Sequence, residues 1–175
     1  MSQKYHLKAC ISARTSQILI QQMEIKLETN NQVEFRKFPK FKEILANSAK
    51  ISIKIAKKSQ KFKNGGTISL LLCDEAEILR LNNEFRHKNY VTNVLSFEDC
   101  EEIDGIVHIG DIAMCIPKIK DEAKSQKKTF KTHFTHLFVH GVLHLLGFDH
   151  EIEQERIEME ALEDAILEEI IKFHA

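Results

Sequence analysis

Three histidines stand within eleven residues near the C-terminal end of the chain, in the segment HGVLHLLGFDH of residues 140–150. His140 and His144 are four residues apart, so on a helix their imidazoles project from one face, with Cβ atoms about 6 Å apart. Both rings can then reach a single metal ion at Zn–N distances of about 2.0–2.1 Å. The pair therefore predicts a metal site on a helix.

Gly147 indicates how a third ligand joins the pair. It follows His144 by three residues, and glycine tolerates the left-handed conformation that ends many helices. The chain can then turn back, so that His150 completes a set of three nitrogen ligands. Catalytic zinc sites have three protein ligands and leave the fourth position to water. The segment predicts one zinc ion per chain in such an open site, although nickel or copper would also accept three imidazoles.

The spacing H-x-x-x-H-x-x-G-x-x-H equals that of the metzincin proteases. In those enzymes the residue after the first histidine is a glutamate that acts as general base. This chain has Gly141 at that position. Because the proton acceptor is missing, the sequence disfavours a peptidase.

Three neighbouring residues are candidates for the surroundings of the ion. His136 lies one turn before His140 on the same face, but a rise of about 6 Å over four residues carries it away from the ion. We assign His136 to the pocket wall or to the substrate phosphate, and a buried core histidine explains it equally well. His133 is predicted to face solvent. Asp149 either orients a ligand imidazole or caps the next helix.

The histidine segment, read with the preceding HLFV, resembles the signature of the YbeY family of bacterial endoribonucleases. Two other segments agree: LNNEFRHKNYVTNVLSF at residues 81–97 and GDIAMC at residues 110–115. The resemblance covers roughly residues 68–162. It implies that His140, His144 and His150 are zinc ligands and that Arg86 is a functional arginine, so that these four residues carry the catalysis.

The resemblance also implies a function. Members of the family are single-strand-specific endoribonucleases in the maturation of ribosomal RNA, including the 3′ end of the small-subunit RNA, and in ribosome quality control. The implied partners are ribosomal RNA, the small ribosomal subunit and its proteins. Two alternatives stay open: a ribosome-assembly factor that binds RNA around a structural zinc, and a metallohydrolase of another substrate.

The chain departs from the family pattern just after Arg86. His87 and Asn89 stand where the family usually has glycine and aspartate, Val91 replaces a usual proline, and Asn93 stands where aspartate is common. Neutral amides therefore stand at both positions where the family pattern would place an acidic residue in the loop after Arg86.

The chemistry of these residue types suits RNA hydrolysis. A zinc-bound water with its pKa lowered to about 7 can supply the nucleophile. Arg86 can hold a phosphate through two parallel N–H···O bonds, which lysine cannot reproduce.

The formal net charge of -1 conceals an uneven distribution of charge. Residues 36–63 are basic, with Glu43 as the single acid, and a second basic stretch at residues 118–131 carries six lysines. The segment from Glu151 onward is acidic. A one-sided basic surface would suit a polyanion such as RNA, although solvated helix faces are the simpler explanation of charge runs taken alone.

The elements that must position these residues predict an α+β fold. We expect strands at residues 17–28, 67–73, 94–97 and 110–114, the last two joined by a hairpin at Asp104-Gly105. Helices are expected from Pro39, from an N-cap at Asp74 up to Arg86, from Pro117, from about Phe130 to Gly147, and from Ile152 onward. The apolar side of the last helix is assigned to Ile157, Leu162, Ile166 and Ile170. The result is a small mixed sheet of about four strands covered by helices, with a metzincin-like zinc helix.

The remaining features of the sequence concern its domains, its cysteines and its cellular location. Residues 1–15 are predicted to be a disordered N-terminal extension, and residues 16–175 a single endoribonuclease domain. No C-x-x-C pair indicates a cysteine-based zinc ribbon. No apolar run approaches the ~20 residues of a membrane span, and no export signal precedes the domain, so a cytoplasmic protein with no membrane partner is expected.

Overall fold

Five strands form one mixed sheet at the centre of the fold, in a computed structural model that describes residues 24–29, 39–58 and 60–174. The strands are β1 (Ile25–Thr29), β2 (Gly66–Cys73), β3 (Val94–Glu98), β4 (Glu102–Ile103) and β5 (Ile106–Cys115). Their order is β1-β2-β5-β3, with β4 also paired to β5. β1, β2 and β5 run parallel, whereas β3 and β4 run antiparallel to β5.

Five helices of the described residues cover the two faces of this sheet: α1 (Pro39–Ile55), α2 (Glu75–Arg86), α3 (Ile116–Ser125), α4 (Phe130–Leu145) and α5 (Glu153–His174). Side chains alternate across a strand, so Ile68 and Leu70 point into the larger core with α1, α4 and α5. On the opposite face, α2 packs Ile78 and Leu81 against Leu95 of β3. Within the described residues, no helix combines the length and the apolar character needed to cross a membrane.

The predicted α+β fold with a mixed sheet is confirmed, and the differences are local. The strand predicted from residue 17 is seen from Ile25, while residues 17–23 and the predicted extension at residues 1–15 lie outside the described residues. β5 begins at Ile106 rather than at Gly110. Gly110 lies inside the strand with φ +143, where a Cβ would be 2.3 Å from the carbonyl oxygen of Phe97. The additional strand β4 has only two residues, too few to form a sequence pattern.

The buried face of α5 is rotated about the helix axis relative to the predicted one. Ile157 is 49% exposed, so its assignment to the apolar side is wrong. Met159 takes its place and shares the buried face with Ile166 and Ile170. Because a helix repeats every 3.6 residues, this rotation turns Glu163 inward as well, and that carboxylate is buried.

Candidate metal centre

Two of the three histidines are fixed by α4. The helix begins after Thr129, whose hydroxyl accepts a hydrogen bond from the N–H of Thr132 (3.1 Å). Its last residue is Leu145, and the chain turns at Gly147, which has φ +84. The N–H of Gly147 donates to the carbonyl of His144 (2.9 Å), and the N–H of Phe148 donates to the carbonyl of Leu143 (3.1 Å). These two bonds form a Schellman motif, which confirms the predicted left-handed glycine and turns the chain back toward the helix.

The three imidazoles converge on one point. The Nε2 atoms of His140 and His144 are 3.1 Å apart, and one ligand atom from each of these residues and His150 lies within 4.8 Å of the others. Two nitrogens on one tetrahedral zinc ion are ~3.3 Å apart at ordinary Zn–N distances. His140 and His144 are half-buried and His150 is exposed. The donor set therefore fits a single metal ion that keeps one side toward solvent.

The electrostatics of the site favour neutral imidazole at the middle position. Burial lowers the pKa of His144 to about 4, and the positive charges of His140, His150 and Arg86 act in the same direction. The neutral form is the one that binds a metal ion.

A buried carboxylate that the sequence analysis missed holds two histidines of α4. His140 donates its Nδ1–H to Oε1 of Glu163 (2.6 Å), and His136 donates its Nε2–H to Oε2 (3.1 Å). Burial by itself raises the pKa of Glu163, but the two imidazole hydrogen bonds outweigh it and bring the pKa down to about 2. The carboxylate is therefore ionised and can only accept, so His140 keeps its proton on Nδ1 and presents the lone pair of Nε2 toward the metal position. Carboxylates in this position orient metal-binding histidines in many proteins.

The packing around Gly141 leaves no space for the glutamate that metzincins have at this position. A Cβ at this position would meet Ser96 Oγ of β3 at 3.0 Å and Ile112 Cδ1 of β5 at 3.3 Å. Residue 141 thus faces the sheet, where α4 packs against β3, and there is no room for a glutamate. The peptidase class is disfavoured by this packing as well as by the residue type.

The neighbours of the triad have distinct environments. His136 is half-buried and engaged by Glu163, so it lies beside the site. His133 was predicted to face solvent, and this is wrong: it is 3% exposed and its Nε2–H donates to Glu122 (2.9 Å). Asp149 accepts a hydrogen bond from the main-chain N–H of His150 (2.8 Å), so it fixes the backbone of the ligand rather than its ring.

Arg86 is the last residue of α2, and its side chain is exposed. No described carboxylate forms an ion pair with it. The helix stops there because His87 adopts a left-handed conformation (φ 56), and the N–H of Lys88 donates to the carbonyl of Asn82 (3.2 Å). That conformation suits glycine, so His87 is strained.

Two buried or half-buried amides hold the loop that follows Arg86. Asn82 donates to the carbonyl of Tyr90 (2.8 Å), and Asn93 donates to Oε2 of Glu122 on α3 (3.0 Å). Asn93 therefore has a defined partner, the carboxylate of Glu122. The loop is anchored at both ends without an acidic partner for Arg86.

Comparison with known proteins links this site to one family. A family model described as Endoribonuclease YbeY matches residues 24–171. The Endoribonuclease YbeY of Chromobacterium violaceum is 45% identical over 105 residues, which are 59% of this chain and 62% of that protein. The protein of the same name from Pseudomonas syringae pv. syringae is 46% identical over 105 residues, 59% of this chain and 63% of that protein. The matched part of the chain thus spans slightly less than two thirds of the length of these relatives.

A solved structure shares the fold. The solution structure of TM1509 from Thermotoga maritima superimposes with a TM-score of 0.52 at 26% sequence identity. The superposition covers 83% of this chain and 88% of that one. The likeness therefore extends over most of the chain.

Proposed function

The chain belongs to the YbeY endoribonuclease family, and we propose that it is a zinc-dependent endoribonuclease that hydrolyses single-stranded RNA. Small-subunit ribosomal RNA is the proposed substrate, in the maturation of its 3′ end and in ribosome quality control, and the ribosomal proteins around it are the proposed partners. The observation that carries the proposal is the convergence of His140, His144 and His150 on one point with an open side.

Four residues are proposed to form the metal centre. The three histidines hold the ion, and Glu163 fixes His140 from behind. A zinc ion in such a site supplies Lewis-acid charge and lowers the pKa of water. Zinc is preferred because imidazole ligands suit it, although nickel and copper accept the same ligands.

Arg86 is proposed to bind the scissile phosphate. Its guanidinium has no carboxylate partner among the described residues, and its positive charge adds to the lowering of the pKa of His144. Two parallel N–H···O bonds to phosphate oxygens would orient the phosphate and offset the charge that develops in the transition state. His136 is proposed to contact the substrate from the wall of the site. Its Nε2 is bound to Glu163, whereas no carboxylate of the described residues binds its Nδ1.

The test combines metal analysis with RNA cleavage. Purified protein should contain one zinc ion per chain and cut a labelled single-stranded RNA, while leaving the corresponding duplex intact. His144→Ala should lose both metal and cleavage. His108→Ala is the matched control, because this histidine contacts Thr67 and Asp111 away from the triad and should change neither.

Arg86→Ala should keep the metal and lose cleavage, and Arg86→Lys should restore only a small part, since lysine cannot form the bidentate contact. Equal cleavage by wild type and His144→Ala would overturn the catalytic role of the ion. Binding of RNA and zinc without any cleavage would instead favour the assembly factor with structural zinc.

A further inference from the structure

Two segments that lead to the histidine site contain no acidic residue. They are residues 85–97, which include Arg86 and the loop after it, and residues 123–148, which run from the end of α3 through α4. The segments meet at Glu122, whose Oε2 accepts hydrogen bonds from both Asn93 (3.0 Å) and His133 (2.9 Å). They therefore form adjoining parts of one surface, which leads to Arg86 on one side and to the histidines of α4 on the other.

The far end of this surface is basic. Four exposed lysines lie where α3 passes into α4: Lys124, Lys127, Lys128 and Lys131. We call these four residues the corner lysines. None of them forms an ion pair with a carboxylate of the described residues. Asp121 is the only exposed acid of α3, and the carboxylate of Glu122 is already occupied by Asn93 and His133. The positive charge of the corner lysines is thus directed to solvent.

The other side of the histidines has the opposite charge. α5 packs against α4 and places Glu163 on His140 and His136. The outer surface of α5 carries exposed acids, among them Glu155, Glu158 and Asp164. A phosphodiester chain is repelled by such a surface. The metal site thus lies between two segments that contain no acidic residue and a helix whose outer surface is acidic.

We propose that the corner lysines bind the phosphates of single-stranded RNA on one side of the cleavage site, and that α5 keeps the strand off the other side. This inference rests on the proposed function and names how that site holds its substrate. Lys131 lies nine residues before His140 on α4, ~14 Å along the helix axis. Nine residues also turn the helix by about half a revolution, so Lys131 and His140 project from opposite sides of α4, and the strand has to pass over the first turn of the helix to reach both. At ~3.4 Å per stacked nucleotide, the corner lysines therefore contact phosphates at least about four nucleotides from the cut. Longer RNA should therefore bind more tightly than fragments too short to reach the corner.

RNA is the partner that fits these observations, rather than an acidic protein, because the surface leads to Arg86 and the histidines, where a phosphate would be cleaved. Binding through lysine–phosphate contacts releases counterions and makes affinity depend on salt. For a single strand, the slope of log K against log salt changes by about 0.7 for each phosphate contact.

The experiment compares two variants with the same change in net charge. The corner variant replaces all four corner lysines by glutamine. The control variant makes the same change at four other exposed lysines, on α1 and in the turn after it: Lys42, Lys54, Lys57 and Lys63. Affinity for a fluorescein-labelled single-stranded RNA is measured by anisotropy directly after stopped-flow mixing of the zinc-loaded protein, at several salt concentrations. Cleavage of the same RNA and of a trinucleotide is followed separately.

The corner variant should lower the salt slope by about 2 to 3 and raise KM for the long RNA, while kcat and cleavage of the trinucleotide stay near the wild-type values. The control variant should change the slope by less than about 1. An equal loss in both variants, or no loss in the corner variant, would overturn the inference. Displacement of the RNA by polyglutamate at equal charge would assign the surface to an acidic protein and overturn it as well. A wild type that binds RNA but never cuts it would contradict the proposed function, and the binding comparison would still decide the role of the corner lysines.

Discussion

Glu163 and His140 are joined by a 2.6 Å hydrogen bond between two helices, although the residues are 23 positions apart in the sequence. The bond determines which nitrogen of His140 carries the proton and so which nitrogen is free for a metal ion. The same carboxylate holds His136, so one residue of α5 orders two turns of α4.

Removing the charge of Glu163 should weaken metal binding more than it weakens the fold. In Glu163→Gln the side chain keeps its size, but an amide is a poorer acceptor for the Nδ1–H of His140. We expect zinc affinity to fall about 10- to 100-fold, the range usual for outer carboxylates of metal sites. Competition with a chromogenic chelator measures it, and Glu160→Gln, an exposed residue one turn earlier that pairs with Arg156, is the control. Unchanged zinc affinity in Glu163→Gln would show that His140 needs no such support.

Restoring the metzincin glutamate should damage this protein. Gly141→Glu would place a carboxylate against Ser96 and Ile112, where burial of an unpaired charge and overpacking together cost at least ~2 kcal/mol. Urea unfolding should show the loss, and no peptidase activity should appear. Gly141→Ala adds a single methyl group and should have a much smaller effect. A stable Gly141→Glu protein with peptide hydrolysis would contradict the packing described for α4 and β3.

Replacing His87 by glycine should stabilise the protein. The left-handed backbone of His87 (φ 56) costs a non-glycine residue ~1–2 kcal/mol, and the greater freedom of glycine in the unfolded chain offsets roughly 0.5–1 kcal/mol. His87→Gly should therefore raise the free energy of unfolding by about 0.5–1 kcal/mol. Thermal unfolding with metal-loaded protein is the measurement. His87→Ala removes the imidazole but keeps the strain, so a gain of equal size in that variant would assign the effect to the ring instead.

Glu122 should matter both for stability and for the loop after Arg86. In Glu122→Ala the buried His133 and the amide of Asn93 both lose their acceptor, and a buried group left without its partner costs about 1–3 kcal/mol. Urea unfolding should show this loss, and hydrogen exchange should become faster in residues 87–93. Asp121→Ala, its exposed neighbour, should stay within about 0.5 kcal/mol of the wild type. Equal stability of the two variants would mean that the contacts of Glu122 do not hold the loop.

The sequence predicted those parts of the site that depend on local geometry. His140 and His144 are fixed by helical periodicity, and Gly147 by the conformation that ends a helix, so both follow from spacing alone. Glu163 and Glu122 depend on how α5 and α3 pack against α4, which no local pattern specifies. A signal for Glu163 was nevertheless present, since it lies four residues after Met159 and three before Ile166 on the buried face of α5. The choice of Ile157 over Met159 for that face concealed it. The buried environment of His133 was also missed, because its acceptor, Glu122, comes from another helix.

The Schellman turn at Gly147 divides the three ligands into two classes. His140 and His144 are half-buried on a helix, with their nitrogens already 3.1 Å apart, whereas His150 is exposed on the segment beyond the turn. The pair depends on helical periodicity alone, whereas the third ligand depends on the turn. A substitution that distorts residues 147–150 should therefore leave two nitrogen ligands in place on the helix and weaken the affinity of the site for the ion.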